Sequence, residues 1–357
     1  MTDRPLGRAS AFCRDHGLEV PVLMAPMAGA CPPALAIAVG RAGGMGACGA
    51  LTMDPGAIGR WAGEVRAATD RPFLLNLWVP DPEPPRDAAH EAAVAAFLSG
   101  WGPAPDALAA TLPIGFDDQC EALLAARPAV VSSIMGLFPA VFAARAKALG
   151  IRWFATATTV AEAVAAAEAG ADAIVAQGME AGGHRGAFEA ERAAARLVGL
   201  VALVPAITDA VDVPVIAAGG IADGRTMAAA LALGASAVQV GTALLRSPEA
   251  GAAPAWADAI GRARPEGTVT TRAFSGRLGR SLDTDYVAAA RAPKAPAPLA
   301  YPLQRSATAA MRAAGARAGD LARMQAWAGQ SAGLARAVPA GESVGAMWAG
   351  ARALLGG

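Results

Sequence analysis

One recurring unit constrains the fold more than any other feature of the chain. A short apolar run ends in small or polar residues, an alanine-rich helical pattern follows, and the next run begins. Eight such runs occur: VLMAP (Val22–Pro26), MGACGA (Met45–Ala50), FLLNL (Phe73–Leu77), AVVSS (Ala129–Ser133), RWFAT (Arg152–Thr156), AIVAQG (Ala173–Gly178), PVIAAGG (Pro214–Gly220) and AVQVGTA (Ala237–Ala243). None alternates polar with apolar residues, which is the pattern of strands buried on both faces. Between the fifth and sixth runs, TVAEAVAAAEAGA reads as a helix with Thr159 as N-cap and Gly170 as stop. Between the seventh and eighth, DGRTMAAALALGA places Asp223 and Gly234 in the same roles. Repeated βα units imply parallel strands joined by right-handed crossovers, and eight of them imply a (β/α)8 TIM barrel. A doubly wound open sheet is the alternative topology.

Two segments break the repeat. The stretch from Trp78 to Pro128 begins with the proline-rich VPDPEPPRD and continues into a helical pattern around HEAAVAAFLSGW. The stretch from Arg246 onward contains TRAFSGRLGRSL, APKAPAPLAYPLQ and further alanine-rich helical patterns. They are expected to be an insertion after strand 3 and a helical C-terminal extension that caps the barrel mouth. Residues 1–245, with the C-terminal helices, would form the barrel, and 246–357 the cap that closes the site of a single catalytic unit.

A hydrophobic fraction of 54% against 17% charged residues supports a real core and excludes a disordered chain. The 30 basic and 30 acidic residues cancel, so no surface for nucleic acid or an anionic membrane is indicated. An anionic substrate must therefore be drawn in by a local feature. Cys13, Cys31, Cys48 and Cys120 form no CxxC pair and no cluster with zinc spacing, so no metal is expected. No run is long and apolar enough to span a membrane, and the charged N-terminal residues do not read as a secretory signal. A cytoplasmic protein is the expectation.

In such a barrel the chemistry sits at the C-terminal ends of the strands. The polar and glycine residues there are Ala25–Met27, Gly49, Asn76, Ser133, Thr156, Gln177 to His184, Gly219–Gly220 and Gly241–Thr242. Glycines after the seventh and eighth runs allow close backbone approach, and helix N-termini there offer N–H donors to a phosphate. Gly44, Gly46 and Gly49 spell G-x-G-x-x-G, but they follow a helical pattern and enter an apolar run. A dinucleotide fingerprint follows a strand and opens a helix, so that reading fails. His184, flanked by glycines on the active rim, has a side chain suited to proton transfer or anion stabilisation. His16 and His90 carry no assigned role. Glu180 could orient a neighbour, bind a backbone amide or be solvated. Met24 and Met45 read as core, whereas Met27 could lie against a planar ring. Asn76 and Gln177 close apolar strands with buried amides that must find partners.

Taken together, APMAG near the start, EAGGHRG after the sixth run, PVIAAGGIADGRTMAAALALGASAVQVGTALL over the seventh and eighth, and MQAWAGQSA later closely resemble the nitronate monooxygenase family, once called 2-nitropropane dioxygenases. The resemblance implies FMN held noncovalently on a TIM barrel. Ala25, Pro26, Met27, Asn76 and Gln177 would border the isoalloxazine ring, with Gly182 and Gly183 approaching it. Gly219, Gly220, Gly241 and Thr242 would hold the phosphate, and Ala218 would also touch the cofactor. Gln330 would also touch the cofactor, and Tyr301, Gln304 and Ser331 are weaker candidates for the substrate. His184 matches the family's catalytic histidine. The implied reaction is oxidative denitrification of an alkyl nitronate, such as propionate-3-nitronate, by O2 to a carbonyl compound and nitrite. His184 would steady the nitronate oxygens or take a Cα proton from a nitroalkane. The alternative is an NAD(P)H-dependent flavin reductase on the same fold, of the enoyl-acyl carrier protein reductase or NADH:quinone reductase type. A flavin-free phosphate-binding barrel is a third reading, which the lack of a lysine base at the strand ends disfavours. A monomer or homodimer is expected.

Overall fold

In a computed structural model of the chain, which describes residues 4–103 and 114–356, each apolar run is a strand. The barrel strands are β1 Val22–Met24, β2 Gly46–Gly49, β3 Phe73–Trp78, β4 Val130–Ile134, β5 Arg152–Ala157, β6 Ala173–Gln177, β8 Val215–Ala218 and β9 Ala237–Val240. A two-residue strand, β7 Gly183–His184, lies between β6 and β8 in the chain and belongs to a separate sheet. The barrel strands run parallel in the order β1-β9-β8-β6-β5-β4-β3-β2. Leu23 bridges Met45, with the Met24 N–H donating to the Met45 carbonyl at 2.9 Å, and this joins β1 to β2 and closes the barrel. Every residue of β2, β3, β6 and β8 is buried. Helices outside and packed side chains inside explain why none of these strands alternates.

The helix boundaries follow local chemistry. The Thr159 side chain accepts from the Glu162 N–H at the start of helix Val160–Glu168. Asp223 and Thr226 form a reciprocal capping box at helix Gly224–Ala232. Gly170 and Gly234 follow these helices with φ of 93° and 118°, a region open to glycine. The glycine triplet of residues 44–49 serves packing. A Cβ on Gly46 would lie 2.5 Å from the Ala36 carbonyl oxygen, so helix Pro33–Arg41 can lie close on β2 only because that Cβ is missing.

The insertion splits its duties. Helix Phe116–Ala126 serves as the barrel helix before β4, whereas helix Ala88–Ser99 leaves the barrel. Its Val94 and Leu98 share a second core with Phe274, Tyr286, Leu303 and Met311 from the C-terminal region. The cap also differs from the all-helical one expected from sequence. Strands β10 Thr268–Thr271 and β11 Gly279–Leu282 pair antiparallel, and β11 pairs with β7. The physical reason lies in the Thr-Val-Thr-Thr run, which favours a strand and pairs with β11, and in the Gly183–His184 edge, which offers β11 a second ladder. The last helix, Ala340–Leu354, returns to the outer ring of the barrel. There a Cβ on Gly224 would lie 2.7 Å from Gly350 Cα, so two glycines set the crossing. Among the described residues no helix is long and apolar enough to cross a membrane.

Candidate active site

The strand ends open into a cavity of about 550 Å³. Residues from far apart in the chain meet on its wall. The structure brings Ala25, Pro26, Met27, Asn76, Gln177, Gly182, Gly183, His184, Ala218, Gly219, Gly220, Gly241, Thr242 and Ser331 to it. Tyr301, Gln304 and Gln330 are not among the lining residues. The Gln304 amide is spent inside the cap, donating to the Ala273 carbonyl at 2.7 Å and accepting from the Leu299 N–H at 2.9 Å. Tyr301 stacks on Trp78 with ring centroids 4.7 Å apart, so it backs the wall instead of forming it. Gln330 contributes a backbone N–H to the Glu180 carbonyl at 2.9 Å. Met24 and Met45 are wholly buried, as core residues should be.

His184 is held from several sides. Its Nε2 lies 2.7 Å from Ser275 Oγ, which in turn reaches the Arg277 carbonyl at 3.3 Å. A hydroxyl that donates to that carbonyl accepts from Nε2–H, which leaves Nδ1 unprotonated. The edge of the ring meets Trp78 at 4.8 Å and Trp327 at 4.9 Å between centroids. Burial, then the charges of Arg305, Arg277 and Arg312, depress its pKa to about 3. The imidazole is thus neutral across the physiological range.

The loop that carries His184 is stapled by Gln177. Its Nε2 donates to the His184 carbonyl at 3.0 Å, and its Oε1 accepts from the Gly186 N–H at 2.8 Å. Glu180 takes one of the roles left open above: its carboxylate accepts from the Leu200 N–H at 2.9 Å and caps helix Leu200–Thr208. Asn76 donates to Ser132 Oγ at 2.9 Å and to its carbonyl at 3.1 Å, while its amide oxygen has no donor among the described residues.

Gly219 and Gly220 have φ of 111° and 68°, and a Cβ on Gly219 would lie 2.9 Å from the Ala181 nitrogen. Among the described residues their backbone N–H groups have no protein acceptor. The WAGQSA segment closes over them. The Gly329 N–H donates to Thr242 Oγ1 at 3.0 Å, and Ser331 Oγ donates to the Gly220 carbonyl at 2.7 Å. Among the described residues no group of three or more His, Cys, Asp or Glu could hold a metal ion.

Several residues of the site were not singled out from the sequence, although Trp327 lies within the MQAWAGQSA stretch. Ser275 is 91 residues from His184. Trp78, Trp327, Arg305 and Arg312 also line the cavity. Arg277 is 1% exposed, forms a two-pronged ion pair with Asp81 and donates to the Ala187 carbonyl, so it ties the proline-rich segment to the barrel. Arg305 directly follows the YPLQ stretch, which was the nearest available clue.

Comparison with known proteins agrees with this architecture. The chain is 41% identical over 349 residues to a nitronate monooxygenase of Pseudomonas aeruginosa, covering 96% of this chain and 97% of that protein. It is 40% identical to a nitronate monooxygenase of Paraburkholderia phytofirmans, covering 92% and 91%. Among solved structures it resembles nitroalkane oxidase from Streptomyces ansochromogenes, with a TM-score of 0.86 and 37% identity over 96% of this chain and 99% of that one. It also resembles FabK from Thermotoga maritima, with a TM-score of 0.76 and 30% identity over 97% of both chains. The family model for nitronate monooxygenase matches residues 10–349. The chain therefore belongs to the nitronate monooxygenase family of flavin-dependent oxidoreductases.

Proposed function

We propose that this protein binds FMN in the 550 Å³ cavity and oxidises alkyl nitronates with O2 to a carbonyl compound and nitrite. The observation that carries the reading is the placement of a neutral His184 on a wall whose charged lining side chains, Arg305 and Arg312, are both cationic. Such a wall attracts an anion and does not donate a proton to it.

The residues present fit the cofactor. Gly219 and Gly220, with unused N–H groups and no Cβ to fill the cradle, would hold the phosphate together with Ala218, Gly241 and Thr242. Phosphate sites in these barrels commonly lie in the loops after the last two strands. Ala25, Pro26 and Met27 would flank the ring, the open amide oxygen of Asn76 would accept from it, and Gly182 and Gly183 would let it approach the backbone. When bound, the flavin supplies an acceptor for the substrate's electrons and a route from there to O2.

The chain's own side chains do the rest. The arginines raise the local concentration of the nitronate. Ser275 fixes one nitrogen of His184 and so sets the tautomer. The free Nδ1 then faces no protein partner among the described residues, and with so low a pKa it serves as a neutral acceptor toward the bound ligand and not as a strong base. Trp78 and Trp327 hold the ring plane and keep bulk water off it.

The test is a parallel assay of purified yellow protein. Oxygen uptake and nitrite release with propyl-1-nitronate are expected, and His184→Asn should lower kcat/KM by about 10²-fold or more. Unchanged turnover in that variant would remove the histidine from the mechanism. Rapid anaerobic bleaching by NADH, with none by the nitronate, would replace the reading with a nicotinamide-dependent reductase.

A further inference from the structure

Two sulfurs meet at the seam of the barrel. Every other neighbouring pair of barrel strands shares a hydrogen-bonded ladder, whereas among the described residues β1 and β2 share only the Leu23–Met45 bridge. Above that bridge, Cys31 from the loop after β1 and Cys48 of β2 bring their Sγ atoms to 3.8 Å, across 17 residues of chain. The Gly49 N–H donates to Cys31 Sγ at 3.3 Å, so the sulfur stands where a ladder carbonyl would accept. Cys48 Sγ also lies 3.4 Å from Met53 Sδ. Ala28, Gly29 and Ala30, directly before Cys31, line the cavity.

The two thiols are not equivalent. Cys31 is 7% exposed and sits beneath the exposed residues 28–29, whereas Cys48 is 1% exposed. Contact with Cys48, helped by the Gly49 N–H, holds the Cys31 thiol below its ordinary range against the cost of burial. The same contact and burial push Cys48 up. Burial also pushes up Cys13, on helix Pro5–His16, to about 11 and Cys120, on helix Phe116–Ala126, to about 12. The thiolate is the reactive form, so Cys31 is set to attack an oxidant while its neighbour waits as a thiol.

We propose that Cys31 and Cys48 form an oxidant-modification site, at which hydrogen peroxide closes a reversible disulfide that ties the cavity loop of residues 25–30 to the end of β2. The Cys31 sulfur attacks one peroxide oxygen, the O–O bond breaks, and the leaving hydroxide takes a proton to become water. The Cys48 sulfur then attacks the sulfenic sulfur, the S–O bond breaks, and hydroxide leaves with the Cys48 proton as a second water. Two thiols lose two electrons, and one peroxide becomes two waters. The bond needs sulfurs about 2.0 Å apart, roughly 1.8 Å closer than in the reduced pair at 3.8 Å. Cys48 is held in the β2–β3 ladder, so the closure falls on the loop, whose Ala25 and Met27 pack against Gly241. Oxidation therefore reshapes the wall proposed above for the flavin ring.

The experiment treats the holoenzyme with hydrogen peroxide, blocks the remaining thiols and maps the peptides by mass spectrometry. Wild type should lose two of its four free thiols, give a Cys31–Cys48 crosslinked peptide about 2 Da lighter than the reduced pair, and recover both thiols with dithiothreitol. The double variant Cys13→Ala/Cys120→Ala should form the same crosslink. Cys48→Ala should stop at a Cys31 sulfenic acid that dimedone traps, and Cys31→Ala should leave Cys48 reduced. Equal oxidation of all four cysteines, earlier oxidation of Cys13 or Cys120, or a Cys31 that passes to sulfinic acid without a crosslink would overturn the proposal. The flavin absorbance of wild type should shift on oxidation and return with dithiothreitol, with no shift in Cys31→Ala. A disulfide that leaves the spectrum unchanged would refute the link to the cavity wall. The crosslink is read without turnover, so a failure of nitronate oxidation leaves this test intact.

Discussion

Gly182 and Gly183 are adjacent glycines at the same cavity, and the structure requires them for different reasons. A Cβ on Gly182 would lie 2.5 Å from the Gly329 nitrogen, 2.7 Å from the Ala328 carbonyl carbon and 2.9 Å from Thr242 Oγ1. Two of these three are backbone atoms that cannot rotate away. Gly183 has φ of 79°, but a Cβ there would meet nothing within 4 Å. Gly183→Ala should therefore cost only the left-handed backbone strain, about 1–2 kcal/mol. Gly182→Ala should cost overpacking of about 1–3 kcal/mol. It should also cost the Gly329 to Thr242 hydrogen bond, worth about 1 kcal/mol. The second variant should thus lose roughly twice as much stability, about 2–4 kcal/mol. It should also release flavin more readily, because the WAGQSA segment is pushed off the loops after β8 and β9. Urea unfolding of the apoproteins measures the first effect, since the apoprotein separates strain from any collision of the new methyl with a ligand. Flavin retained after gel filtration measures the second. If Gly183→Ala is the more damaging of the two in the apoprotein, the close contact of the Gly182 loop with Ala328–Gly329 is not what this position requires.

Two further perturbations test the surroundings of the site. His184 has a folded pKa of about 3, below its unfolded value of 6.5, so the unfolded chain binds more protons between these values. The stabilising contribution is complete above pH 6.5 and is lost as pH falls below it, by up to about 1.4 kcal/mol per pH unit. His184→Asn should therefore narrow the stability gap between pH 7 and pH 5 in denaturant titrations, and an unchanged gap would contradict a buried neutral imidazole. Arg277→Met should cost about 3–5 kcal/mol because it leaves Asp81 without its partner. The double variant Arg277→Met/Asp81→Leu should regain much of this in thermal unfolding, and a double no better than the single would argue against a dominant ion-pair effect.

Much of the architecture was legible because it is written in short-range patterns. Each barrel strand is a contiguous apolar run, and the crossover helices after β5 and β8 carry their own start and stop, as Thr159, Gly170, Asp223 and Gly234 show. The paired glycines after β8 and the histidine among glycines after β6 announced themselves for the same reason: each needs only its immediate neighbours to be recognised. The glycine triplet of residues 44–49 could be discounted by context alone, since it enters a strand instead of opening a helix.

The sheet within the cap was not legible. A two-residue strand such as β7 has no periodicity, and it exists only because β11, some 95 residues onward, supplies its ladder. Gln304 illustrates the converse, since a family motif placed it near the site while its amide is occupied by Ala273 and Leu299.

Sequence by itself therefore determined the barrel, its active rim and the position of His184. Tertiary structure alone decided what His184 touches and what charge surrounds it. Ser275, Trp78, Trp327, Arg305 and Arg312 come from four separate segments, and nothing in their local sequence encodes a shared cavity. Local propensity is a property of neighbours along the chain, whereas desolvation and electrostatics depend on neighbours in space, and only folding brings these arginines to one histidine.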